Sequence, residues 1–431
     1  MTSILLVVIY LAFISLGLPD SLLGSAWPSM YPQMGVPLSY AGMISMIIAG
    51  GTIVSSLLSD RLIRRFGTGL VTLVSVAMTA VALMGFSASY AFWHLCLFGI
   101  PYGLGAGSVD AALNNFVALH YKSRHMSWLH CFWGIGATAG PYIMGYCLTG
   151  GLSWNAGYRS VGFIQIALVA CLALSLPLWK KNDTAHNAIK RESSGGKSGG
   201  GFGNKDSGAA AGTGFSAVSE PGSSAAAGTD GSAEAASSRN VLSLRQAISL
   251  PCAKAVLLSF LGYCGLESTT GLWASSYLVM KQGFSAETAA GYASLFFLGI
   301  TLGRLASGFV SDSLGDRNMV RIGLGVILIG ILVLLLPAGD VFALIGIFCI
   351  GLGCAPIYPS LLHATPSHFG AENSQSLMGM QMATAYVGST FMPPLFGALS
   401  GITGLWFYPV YLALFLVLMI AMTEWVNRRA A

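Results

Sequence analysis

Apolar stretches of about 20 residues recur twelve times along this chain, and no other feature constrains its fold as strongly. A helix rises about 1.5 Å per residue, so each stretch matches the roughly 30 Å hydrocarbon core of a bilayer. In lipid every backbone N–H and C=O must be satisfied within the protein, which for segments of this length means helix. The stretches fall at about 3–24, 38–60, 68–88, 92–119, 127–149, 158–180, 249–280, 287–312, 320–337, 340–362, 375–400 and 405–427. Of 431 residues, 54% are hydrophobic and 9% are charged, where a soluble domain carries roughly 25% charged residues. A soluble protein can bury one or two such segments, not a dozen. The expected class is an all-α, multi-pass membrane protein.

The few charges are placed unevenly. With the N-terminus in the cytoplasm, Arg61, Arg64, Arg65, Lys122, Arg124, Lys180, Lys181, Arg245, Lys254, Arg317, Arg321, Arg428 and Arg429 fall on that side, and Arg159 and Lys281 on the other. This is the positive-inside pattern, and it places both termini in the cytoplasm, with the chain in the cytoplasmic (inner) membrane. The first stretch lacks a basic n-region and an A-x-A site, so it reads as a retained span and not a cleaved signal. The eight cysteines lie in or at the ends of apolar segments with no CxxC pair, which suits packing and not metal binding.

Between about Asn182 and Asn240 the chain turns to Gly, Ser and Ala with scattered charges, a composition that suits a flexible tether on the cytoplasmic side. It divides six spans from six: residues 1–181, a linker at 182–240, and residues 241–431. The halves repeat one another. Ser59-Asp60-Arg61-Leu62 aligns with Ser311-Asp312-Ser313-Leu314 at an offset of 252, where Gly51 meets Gly303 and Ser56 meets Gly308. Gly17, Asp20, Gly24 and Trp27 have partners in Gly265, Glu267, Gly271 and Trp273, and Gly103-Leu104-Gly105 recurs as Gly351-Leu352-Gly353. Repeated halves are how alternating-access transporters are built, with the site at their interface near mid-membrane.

The 6+6 arrangement and the acidic-basic loops after spans two and eight resemble the major facilitator superfamily. Spans four and five resemble its fucose and glucose permease branch, through Gly103-Leu104-Gly105, Asp110, Asn114, Phe116 and Leu129-His130-Cys131-Phe132-Trp133-Gly134-Ile135-Gly136-Ala137. The resemblance implies a two-bundle fold, a proton-coupling acid at Asp110, a second at Asp20, and sugar contact at His130. The branch has Gln where His130 stands and Asn where Trp133 stands. The resemblance also makes a monomer the expected state.

Three carboxylates lie inside spans, where a charge costs about 2.5–3.5 kcal/mol on insertion scales and so usually faces a cavity: Asp20, Asp110 and Glu267. Asp110 and His130 each stand ten residues from His120, which puts both roughly 15 Å deep on adjacent antiparallel helices. Gly107, Asp110 and Asn114 share one helical face. Asp20 follows Pro19, so a helix break with Asp20 as its cap is the competing reading. Asn114, Asn115 and Gln381 could bond hydroxyls, and Trp133, Trp273 and Tyr277 could stack on a sugar ring; Trp27 reads first as an interfacial anchor. Asp60, Arg61, Arg64, Arg65, Asp312, Arg304 and Arg317 group at the cytoplasmic ends of spans two and eight. By resemblance these form the cytoplasmic gate, with Ser56 where the loop's leading Gly is expected. Gly136-Ala137-Thr138-Ala139-Gly140-Pro141 suits close helix packing, and a similar Gly-Pro pattern also marks drug antiporters. Pro356 and Pro359 suggest a bent tenth span.

No hydrolase motif, phosphate-binding loop or metal-ligand cluster stands in the sequence, so no enzyme activity, cofactor or nucleic-acid partner is expected. Transport would draw on an ion gradient, a proton gradient first and sodium second. The leading reading is proton-coupled uptake of a neutral monosaccharide. A proton-linked exporter of drugs or metabolites, and a non-transporting membrane sensor, are the alternatives.

Overall fold

The computed structural model describes residues 2–120, 123–195, 250–336, 339–369 and 371–429. Among these the secondary structure is helical throughout, with no strand. The helices are α1 (Thr2–Asp20), α2 (Leu22–Met34), α3 (Tyr40–Phe66), α4 (Thr68–Ser87), α5 (Phe92–His120), α6 (Ser123–Thr149), α7 (Trp154–Gly195), α8 (Ala253–Gln282), α9 (Ala286–Tyr292), α10 (Ser294–Leu335), α11 (Asp340–Cys354), α12 (Ile357–His363), α13 (Thr365–Phe369), α14 (Ala371–Thr403) and α15 (Tyr408–Arg429). They make twelve spans. Span one is α1 and α2 joined at Ser21. Spans eight and nine are α9 and α10, divided where Gly315 leaves helical geometry. Span ten is the bent run α11–α13, as its prolines suggest.

Eight helical runs among the described residues are long and apolar enough to cross a bilayer on those grounds alone. Spans two, five, seven and eleven are not among them. All four sit where the halves meet, with span two on eleven, five on eight, and one on seven. Spans five, seven and eleven are the more polar of these, as a helix that turns polar side chains toward a partner or a cavity cannot also be uniformly apolar.

Within each half the packing repeats: span one on five as seven on eleven, and two on four as eight on ten. The chain's own geometry fixes the register of the repeat. Gly67 (φ 79°, ψ 155°) and Gly315 (φ 72°, ψ 158°) turn spans two and eight into three and nine with one backbone conformation, which a side chain would disfavour. Gly103 lies against the Ile48 carbonyl and Gly351 against the Phe296 carbonyl, each contact leaving no room for a Cβ. Every one of these pairs is 248 positions apart, so the loop match at 252 is out of register by four residues, about one helical turn. Asp60 and Asp312 are therefore not equivalent positions.

The close backbone approaches between halves gather away from the face that carries the chain ends. Gly24 lies against Gly271 and Leu272, Gly42 against Pro394, and Gly145 against Gly291. Ser275 Oγ donates to the Ser25 carbonyl at 3.3 Å on the same side. Toward the terminal face, Gly308 of span eight meets open space.

Candidate functional site

Asp20 ends α1, and the break at Ser21 lets its side chain leave the helix line. The Ser21 hydroxyl donates to the Ala137 carbonyl at 2.8 Å, tying the break to span five. Asp20 does not cap a helix. Its Oδ1 accepts from the Tyr102 hydroxyl and its Oδ2 from the Trp133 indole N–H, both at 2.9 Å. Tyr102 is buried, yet Asp20 itself is solvent-accessible, so its carboxyl lies on a cavity wall between spans one, four and five.

Glu267 faces Arg304 across 3.7 Å, and the two side chains are 20% and 18% exposed. The Arg304 guanidinium stands 5.2 Å from the centre of the Trp133 ring, a cation–π contact that crosses from the second half to the first. Arg304 thus stands at the level of Glu267 and Trp133 and not with the cytoplasmic gate, since it precedes the turn at Gly315 by eleven residues, roughly 16 Å of helix. Glu267 lies 247 positions after Asp20, one residue short of the repeat, and one residue turns a helix by about 100°. The two acids are neighbours in function of place, not symmetry mates.

Asp110 Oδ1 accepts from Asn114 Nδ2 at 2.9 Å, one turn along span four as the helical face requires. Asp110 also lies within the electrostatic reach of Asp20. Among the described residues no hydrogen bond joins Asp110 to His130. The His130 ring instead meets Phe13 edge-on at 5.9 Å and lies within the field of Arg304. The Oδ1 of Asn114 is buried with no partner among the described residues.

Several expected ligand contacts are packing residues. Trp273 is fully buried and donates to the Pro393 carbonyl at 2.9 Å. Tyr277 donates to the Leu334 carbonyl at 3.3 Å. Gln381, also fully buried, donates to Thr365 Oγ1 at 2.9 Å between spans ten and eleven. Trp27 is buried and donates to the Leu38 carbonyl at 2.7 Å, which locks the turn into span two and leaves no interfacial anchor. All four face helices of the bundle and not the cavity. Of the gate set, Arg61 and Arg65 are exposed, and Arg65 lies 5.4 Å over Phe66. Arg317 donates to the Asn427 carbonyl at 2.9 Å. The side chains of Asp60, Arg64, Asn115 and Asp312 lie outside the described residues.

Tyr102 and Tyr263 are site residues that sequence reading missed. Tyr263 faces Glu267 from one turn earlier on span seven. Tyr102 follows Pro101 and lies eight residues before Asp110, close to the same face, which is the signal that would have found it. Among the described residues no group of three His, Cys, Asp or Glu side chains could hold a metal ion.

Twelve spans in repeated halves, with ionisable side chains gathered at mid-depth between them, define a membrane transporter. The family model of the Major Facilitator Superfamily matches residues 9–393, and matches 255–429 as well, so the chain belongs to that superfamily. It is 22% identical over 413 residues to a protein of Saccharomyces cerevisiae named Bypass of stop codon protein 6, covering 92% of this chain and 77% of that one. A mutant of the nucleoside transporter NupG superposes with a TM-score of 0.66 at 12% identity, covering 98% of each chain. A D-xylose-proton symporter superposes at 0.65 and 12% identity, covering 96% of each. At that identity the two structures establish the fold alone.

Proposed function

We propose that this transporter carries a small neutral solute, a monosaccharide, into the cell together with a proton, by alternating access. The observation that carries the reading is the Asp20 carboxyl, held on the cavity wall by Tyr102 and Trp133. The two donors differ in kind. An indole N–H can only donate, whereas a phenol can donate or accept. With Asp20 ionised, both donate to it. With Asp20 protonated, its O–H can donate to the Tyr102 oxygen while Trp133 still donates to the other oxygen. The carboxyl therefore keeps its partners in both states, which is what a site of proton exchange needs.

Around it stand the elements of a sugar site: the Trp133 ring, the Asn114 amide and the imidazole of His130. The names of the structural neighbours, a nucleoside transporter and a sugar–proton symporter, support a polyhydroxylated solute. The arginine and lysine distribution puts the terminal face in the cytoplasm, so the closed contacts at Gly24, Gly42 and Gly145 are extracellular and the conformation faces inward. Gly136 and Gly140 seat span five on the Ile14 and Leu18 carbonyls, which gives the Gly-Pro stretch a packing role.

The test is uptake of labelled hexoses into proteoliposomes under an imposed inward proton gradient. The reading expects accumulation above equilibrium that a protonophore abolishes. Equilibration of the same hexose, unaffected by the gradient, would contradict proton coupling; no transport of any hexose would contradict the substrate class.

A further inference from the structure

Arg304 stands in the central layer and touches both halves of the molecule. Its guanidinium faces Glu267 of its own half at 3.7 Å and stacks on Trp133 of the other half at 5.2 Å. Span eight is built to hold it there. Phe297, Thr301 and Arg304 recur at helical spacing on one face. Phe297 meets the Trp133 ring edge-on at 6.4 Å, and Thr301 packs on Gly134. Trp133 in turn gives its N–H to Asp20 at 2.9 Å. These contacts set the guanidinium within about 10 Å of the carboxylate, a distance over which charges inside a protein are little screened.

We propose that Arg304 is a positioning residue that ties the protonation of Asp20 in the first half to the arrangement of the second. The proposal rests on the proton-coupled reading above. The link has two parts, both acting through Trp133. An N–H bonded to an anion leaves the indole ring more electron-rich, which strengthens its hold on a stacked cation. The anion also draws the guanidinium directly. When Asp20 takes a proton both attractions weaken, and Arg304 is left to Glu267. The contact between spans five and eight is then loosest when the proton is bound. Other ionisable groups facing this cluster are Asp110 on span four, His130 and Cys131 on span five, Tyr158 on span six, Tyr263 and Cys264 on span seven and Cys354 on span ten.

The experiment compares native protein with Arg304→Gln, Arg304→Lys and Trp133→Phe in proteoliposomes. Counterflow of a labelled hexose, which needs no net proton movement, is read beside gradient-driven accumulation. Arg304→Gln is expected to keep counterflow within about twofold of native and to lose accumulation by about tenfold or more. Arg304→Lys, which keeps the charge, is expected to recover part of the accumulation. Trp133→Phe keeps a ring under Arg304 but severs the N–H link to Asp20, and is expected to lose accumulation by about tenfold or more, with counterflow also reduced because the ring belongs to the sugar site. The proposal is overturned if Arg304→Gln accumulates hexose as the native protein does, or if Lys fails as completely as Gln. A second readout does not depend on the solute. Spin labels at Phe66 and Leu314, on a cysteine-free background, report the separation of spans two and eight as pH is varied. A pH-dependent distance in the native protein that is lost in Arg304→Gln supports the link. The same pH response in both overturns it, whatever is found for hexose transport.

Discussion

The hydroxyl of Tyr102 donates to Asp20 Oδ1 at 2.9 Å, joining span four to the carboxyl at the break in span one. It is the partner of Asp20 that can reverse its hydrogen bond.

Tyr102→Phe removes that reversal while leaving the ring packed against Phe86, whose centroid is 6.4 Å away. A hydrogen bond to a charged group is worth about 1.5–3 kcal/mol, so proton-driven uptake should fall by about tenfold or more. The thermal midpoint in detergent should change little. Native uptake in the variant would show that Trp133 alone suffices.

Asn114→Ala and Gln381→Ala separate a site residue from a packing residue of similar chemistry. Asn114→Ala removes the donor to Asp110, and should raise the KM for hexose by about tenfold with the protein's thermal midpoint kept. Gln381→Ala strands Thr365 between spans ten and eleven, at a cost of about 1–3 kcal/mol, and should lower the midpoint with KM unchanged. Uptake kinetics and thermal unfolding of the two variants, measured side by side, check the assignment; a raised KM in Gln381→Ala would place that residue on the cavity.

Gly103→Ala tests the repeat's register. A methyl group there runs into the Ile48 carbonyl and should cost about 1–3 kcal/mol through overpacking. Gly351→Ala should do the same against the Phe296 carbonyl. Gly50, which has open space where its Cβ would stand, should accept Ala without loss. Thermal unfolding of the three variants is the measurement, and equal behaviour of Gly50→Ala and Gly103→Ala would contradict the packing described.

The sequence made the architecture plain because lipid imposes helix on every span and because the glycines and prolines of one half recur in the other. It also made the acids plain, since a carboxyl inside a span is rare enough to single out Asp20, Asp110 and Glu267 individually. What one sequence does not reveal is how each helix is rotated about its axis. Trp273, Tyr277 and Gln381 are polar-capable residues in spans that border the cavity, and each turns away into a neighbouring helix. The loop match at 252 was persuasive because Ser-Asp repeats in both halves, but four residues make one turn of helix, so the slip preserved the face and hid the error. Arg304 precedes the turn at Gly315 by eleven residues, roughly 16 Å of helix, which is the depth of the centre and not of the gate. Tyr102 escaped notice because a tyrosine in a span is ordinary until its hydroxyl is seen to meet a carboxylate.

The measurement closest to the central claim is proton movement itself. Native protein and Asp20→Asn are placed in proteoliposomes with a pH indicator in the lightly buffered outer medium, and a panel of hexoses is added without any imposed gradient. The account predicts that one hexose makes the medium outside more alkaline with native protein, and that Asp20→Asn abolishes this signal while still exchanging labelled hexose by counterflow. Hexose-dependent alkalinisation of equal size in Asp20→Asn would contradict the role given to this carboxyl.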